Sequence, residues 1–211
     1  MPRLYPATAL ALIAAFLGGI GLTILLGNTN RGADRFADCR ETRVAGGSGS
    51  IGGPFELISE TGETVTDADI ITGPTLIYFG YTFCPDVCPL DVARNAVATE
   101  ILEERGTMLT PVFISIDPER DGVDEVASFT DAMHPRMIGL TGSLEQVDAA
   151  SDAYRTYFNR HNGEDPDYLV VDHSTFSYLV FPGHGFVEFF RREVAPEDMA
   201  DRISCFIDAA A

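Results

Sequence analysis

Hydrophobic positions in this chain fall into one long unbroken run and then into shorter blocks. The run is ATALALIAAFLGGIGLTILL, Ala7 to Leu26, without a single charge. As a helix it would measure about 30 Å, the thickness of a bilayer's hydrocarbon core. A cleavable signal has an apolar core of only about 7–15 residues and a small-residue cleavage site. Here the core is longer, and NRGADRF after it makes a poor site. Lipidation at Cys39 is disfavoured by Asp38 before it and by its distance from the run. The run therefore reads as an uncleaved membrane anchor.

Beyond it, short apolar blocks alternate with stretches whose apolar positions recur every three or four residues, as strands and helices do in turn. FELISETGETVT predicts a hairpin around Glu60-Thr61-Gly62-Glu63, and PTLIYFGYTF predicts a buried central strand. A helix follows from near Pro85 to about Arg105, with Leu90, Ala93, Val97 and Ile101 on one face. LTPVFISID predicts a second buried strand, Asp121 to Met133 a helix stopped before Pro135, and MIGLTG a short strand. Ser143 and Gln146 form a capping box opening a helix with the stripe Leu144, Val147, Tyr154 and Phe158. After the polar stretch NRHNGEDPDY, TFSYLVF and GFVEFFRREV predict a hairpin through Pro182-Gly183-His184-Gly185. Pro196 starts a last helix carrying Met199, Ile203 and Phe206. This order predicts an α/β, thioredoxin-like domain, a central mixed sheet flanked by helices, behind a single N-terminal transmembrane helix. The expected boundaries are a tail at 1–6, an anchor at 7–27, a flexible tether at 28–53 that includes AGGSGSIGG, and the domain at 54–211. No internal repeat or second domain is visible.

Charge adds two constraints. The formal net charge is −18 and every basic residue is an arginine, which argues against nucleic acid as a partner. Only Arg3 precedes the apolar run, whereas Arg31, Arg35, Arg40 and Arg43 follow it, so the positive-inside rule leans toward a cytoplasmic domain.

The chemistry concentrates in YFGYTFCPDVCPLD. Cys84 falls where the central strand ends and Cys88 in the first turn of the next helix, and their i, i+4 spacing puts both on one helical face, so the sulfurs can approach. Pro85 suits the first helical position. Helix-terminal N–H groups favour a thiolate, and Asp86 opposes it. As a structural staple the pair would be poor, because so short a loop removes little chain entropy. A redox couple and a metal site remain. Of the histidines, His134 reads as a surface or capping residue, and His161 and His184 as exposed loop residues. His173 stands at the mouth of a strand, where a thioredoxin-type fold brings a loop against its dithiol, and it reads either as structural or as a third ligand. Two thiolates and an imidazole suit Cu(I) better than structural Zn(II), which takes four closed ligands.

YFGYTFCPDVCP, ISIDPERD and VDHSTFSYLV, in this order, resemble the signature segments of the Sco/SenC copper chaperones for cytochrome c oxidase assembly. The resemblance covers roughly Ile51 to Phe206 and the anchor. It implies a thioredoxin-like fold facing the periplasm or intermembrane space, here expected at the bacterial inner membrane with the domain in the periplasm. It implies copper, as Cu(I) and also Cu(II), held by Cys84, Cys88 and His173, with Asp117 as an aspartate close to the site. Asp117 reads equally as a strand-end turn residue. The implied partners are oxidase subunit II with its binuclear CuA centre, a periplasmic copper donor, a thiol reductant and the lipid bilayer. In such an oxidising compartment Cys39 and Cys205, outside the motif, are expected to pair; the alternative is two inert thiols. The chain then reads as a binding and delivery module rather than an enzyme. The rival reading is a thiol–disulfide oxidoreductase with Cys84 and Cys88 as its redox-active dithiol. A peroxiredoxin-type peroxidase is disfavoured, because its threonine lies three residues before the cysteine and position 81 here is Tyr.

Overall fold

The computed structural model describes residues 12–13, 16–19, 34–42, 44, 47–160 and 171–211. The tail 1–6, most of the expected anchor 7–27 and His161 lie outside the described residues. Among the described residues no helix is long and apolar enough to cross a membrane. The chain divides into Met1–Asp38 and Cys39–Ala211, and the second unit carries the fold.

That unit is built on a seven-stranded mixed sheet in the order β2-β1-β5-β4-β3-β8-β9. The strands are β1 Glu56–Ser59, β2 Thr64–Thr66, β3 Thr75–Gly80, β4 Thr110–Ser115, β5 Ile138–Thr141, β8 Ser177–Phe181 and β9 Gly185–Phe190. β3, β4 and β5 run parallel at the centre, and antiparallel hairpins complete both edges. β6 Phe158–Arg160 and β7 Val171–His173 form a separate two-stranded ribbon. The helices are α1 Asp67–Ile70, α2 Val87–Glu104, α3 Val123–Met133, α4 Leu144–Ala153 and α5 Pro196–Ala210. All six residues of β3 are buried, as expected of a parallel strand covered on both faces.

The capping box of Ser143 and Gln146 opens α4, and Pro196 occupies the first turn of α5. Met199, Ile203 and Phe206 are all buried, as their spacing predicts. Helix α2 ends in a Schellman turn: Thr107 N–H donates to Leu102 O at 2.8 Å, Gly106 N–H donates to Glu103 O at 2.9 Å, and Gly106 adopts φ 78°.

Four expectations are corrected. Helix α2 begins at Val87, so Pro85 stays in the loop and Pro89 sits in the first turn, where a missing N–H costs nothing. The stripe Leu90, Ala93, Val97 and Ile101 is not the core face; Leu90 is 60% exposed and Val97 40%. The buried face instead carries Cys88, Asp91, Val92, Asn95, Ala96, Ala98, Thr99 and Leu102. Its polar members bond inward: Asp91 Oδ2 accepts from Tyr78 OH at 3.0 Å, and Asn95 Oδ1 from Ser177 Oγ at 3.0 Å. In the third correction, α4 stops at Ala153 and Phe158 belongs to β6. Finally, the described part of the tether from Cys39 onward is docked on the domain. Arg40 Nε donates to Val187 O at 2.9 Å, Gly52 N–H donates to Ala153 O at 2.8 Å, and Val44 and Ile51 pack on the core. Cys39 is joined to Cys205 by a disulfide with Cα atoms 5.8 Å apart.

Candidate metal centre

Strand β3 runs through the core and delivers the chain at Gly80 into the loop Tyr81–Asp86. The loop carries Cys84, and Cys88 follows as the second residue of α2. The N-cap Asp86 makes no side-chain capping bond. The helix's first amides would be left without partners, and sulfur takes one of them: Cys88 N–H donates to Cys84 Sγ at 3.3 Å.

His173 ends β7, held in register by pairing with Phe158. Its Nδ1 lies 2.9 Å from Ser174 O, so Nδ1–H donates there and Nε2 keeps a lone pair. That Nε2 lies 3.1 Å from Cys88 Sγ. The imidazole is braced edge-on by Tyr78 and Tyr81, with ring centroids at 6.1 and 5.9 Å. The donor atoms of Cys84, Cys88 and His173 all lie within 4.8 Å of one another, and among the described residues no fourth His, Cys, Asp or Glu joins them.

Both thiols are free and buried. The hydrogen bond from the Cys88 thiol holds the Cys84 thiol far below its ordinary range, against the opposing effect of burial. The Asp86 backbone N–H also favours the thiolate, so that residue supports the charge its carboxylate was expected to oppose. Cys88 is pushed up, because it donates to Cys84 and is itself desolvated. The pair thus favours a thiolate at Cys84 over one at Cys88. Burial also raises the Tyr81 phenol, to about 12.

Such a cluster offers two soft sulfurs and one imidazole nitrogen without a fourth closing ligand, a donor set suited to a d¹⁰ ion of low coordination number. The same dithiol can close to a disulfide.

Asp117 does not join the cluster. It is buried and paired with Arg120 Nε, and the Arg120 guanidinium lies 5.7 Å from the centre of the Tyr81 ring. Asp117 is thus linked toward His173 through Arg120 and Tyr81. His134 is not at the surface: it is buried, caps α3, accepts Arg136 N–H on Nδ1 at 3.1 Å and lies 3.4 Å from Glu103. His184 is exposed in the β8–β9 turn.

Gly80, Tyr78 and Tyr81 are not ligands, yet all three shape the centre. Their signal was the aromatic–glycine–aromatic bracket YFGY directly before the dithiol. A Cβ on Gly80 would stand 2.9 Å from Tyr78 Cε1 and 3.2 Å from Cys88 Sγ. Gly80→Ala is therefore expected to cost about 1–3 kcal/mol of stability by overpacking. Denaturant unfolding checks it; wild-type stability would show that Tyr78 and Cys88 yield freely.

The SCO1/SenC family profile matches residues 44–208. Protein SenC of Rhodobacter capsulatus is 52% identical over 201 residues, covering 95% of this chain and 90% of that protein. The human mitochondrial SCO1 homolog is 40% identical over 157 residues, covering 73% of this chain and 52% of that protein, so the match spans about half of that relative. Arabidopsis thaliana ScoI, solved with copper bound, superposes with a TM-score of 0.70 at 39% identity, over 75% of this chain and 99% of that one. Yeast Sco1 with copper bound gives 0.71 at 33% identity, over 75% and 89%. With a thioredoxin-like Sco domain and a family match running from the docked arm into the last helix, this chain belongs to the SCO1/SenC family.

Proposed function

We propose that this protein is a membrane-anchored copper chaperone that takes copper as cargo on Cys84, Cys88 and His173 and delivers it to the CuA centre of cytochrome c oxidase subunit II. The observation that carries the reading is the convergence of the two sulfurs and the His173 Nε2 lone pair. Relatives of 39% and 33% identity, solved with copper bound, support it. A three-ligand centre leaves the metal open to attack by an acceptor's thiolate, so transfer can proceed by ligand exchange. The expected result is about one Cu(I) per reduced chain and its passage to the soluble domain of subunit II. Failure of wild type to retain Cu(I) against a competing chelator would overturn the reading.

A second reading, reduction of the subunit's cysteines, is favoured by the Cys84 thiolate beside a resolving Cys88. In the same assay it would transfer electrons and leave Cys84–Cys88 oxidised.

On this proposal residues 7–27 anchor the chain in the bacterial inner membrane and the domain faces the periplasm. The arginines after the run argue for the opposite side. The Cys39–Cys205 pair argues for an oxidising compartment, and we give it more weight. The redox state of that pair in intact cells decides between them.

A further inference from the structure

The three donors of the centre do not stand on equal supports. Cys88 rides on a helix of 18 residues, and His173 on a strand paired with β6. Cys84 stands in the loop Tyr81–Asp86, whose Phe83, Pro85 and Asp86 are exposed. The loop's own backbone bond, Cys84 N–H to Tyr81 O, is long at 3.3 Å.

What grips this loop comes from the turn after β4. The Asp121 carboxylate is fully buried and accepts three hydrogen bonds. Thr82 N–H donates at 2.9 Å, Thr82 Oγ1 at 2.5 Å and Ser115 Oγ at 2.6 Å. Thr82 is thus held by backbone and side chain together, two residues ahead of Cys84. Asp121 is itself immobilised: its N–H donates to Asp117 O at 2.9 Å, and its carbonyl accepts from Thr141 Oγ1 at 2.7 Å. Ser115 ends β4 opposite Gly80, so one carboxylate joins the strand that supports the loop to the loop itself. From outside, Arg120 covers Tyr81 and Phe83 at 5.7 and 5.5 Å.

We propose that Asp121 is the positioning residue for Cys84: its buried carboxylate clamps Thr82 and so holds the one loop-borne sulfur against Cys88 and His173. It touches neither sulfur nor metal and acts through Thr82. A buried carboxylate is costly unless every bond to it is made, and two of its three bonds go to Thr82, two residues ahead of Cys84.

The copper readout of this inference rests on the proposed function; its thiol readout does not. The experiment compares full-length wild type with Asp121→Asn and Asp121→Ala. It measures Cu(I) affinity by chelator competition, and alkylation rates of Cys84 and Cys88 in the reduced, copper-free protein. The expected result is about 10- to 100-fold weaker Cu(I) binding, the range for partners that orient a ligand. Cys84 alkylation should rise selectively, with Cys88 unchanged. A merely structural role would accelerate both thiols together, in step with unfolding, and that pattern overturns the proposal. So does an Asp121→Asn protein with wild-type affinity and wild-type Cys84 reactivity. If the Asp121 variants fail to fold, Thr82→Val, which removes only the hydroxyl bond, decides: selective acceleration at Cys84 supports the clamp and no change overturns it. If wild type itself holds no copper, the chaperone reading falls and the alkylation arm still tests the clamp.

Discussion

Replacing His173 with Ala is expected to weaken Cu(I) binding by about 100-fold, or ~3 kcal/mol, while leaving the dithiol able to close. The imidazole is the only nitrogen donor in the cluster, and its Nδ1–H bond to Ser174 O points Nε2 at the sulfurs. Without it, a bound copper would keep the two sulfur donors and lose the third ligand. Cys84→Ser should cost more, since one soft sulfur then remains with the imidazole. His173 also packs edge-on against Tyr78 and Tyr81, so truncation to Ala leaves a gap as well as removing a ligand. His173→Met separates the two effects, because a thioether fills space and still ligates Cu(I). Partial recovery of affinity in that variant assigns His173 as a ligand. Wild-type affinity in the Ala variant would make the histidine a bystander and leave the dithiol as a redox couple.

The order of strands and helices was legible because each core strand is an apolar block bounded by turn residues, and because the Ser143–Gln146 box and Pro196 mark helix starts. The rotation of α2 was not. Apolar periodicity selected Leu90, Ala93 and Val97, yet the helix presents Asp91, Asn95 and Thr99 to the interior, each hydrogen-bonded there. Cys88 lies on that buried face together with Asp91, Val92, Asn95, Ala96, Ala98, Thr99 and Leu102, so four of its eight members are polar or thiol side chains that apolar periodicity does not select. The Cys–Cys–His trio was readable as residue types at plausible places. Its support by Asp121 was not, since that carboxylate meets Thr82 from a segment 39 residues away.

Removing the Cys39–Cys205 bond by a double Ser substitution is expected to lower the unfolding free energy by about 2–5 kcal/mol. The bond spans 166 residues, so in the chain-entropy account it restrains nearly the whole unfolded domain. The folded arm has a second hold that should survive. Glu188, buried in β9, accepts from the Thr42 hydroxyl, from Glu41 N–H at 3.3 Å and from Arg202 Nη2 at 3.0 Å. Arg202 also pairs with Glu41 at 3.1 Å. The double variant should therefore keep its arm docked and its fold intact while unfolding at lower denaturant, and an unchanged midpoint would show that the bond restrains little. The same pair reports topology. In intact cells with the domain in the periplasm, maleimide added after denaturation without reductant should label only Cys84 and Cys88. Labelling of all four cysteines would place the domain in a reducing compartment and remove the outward orientation. Oxidation of the outer pair has a consequence for the centre: it withdraws the two other sulfurs of the chain from exchange, so that incoming copper meets no thiols but Cys84 and Cys88.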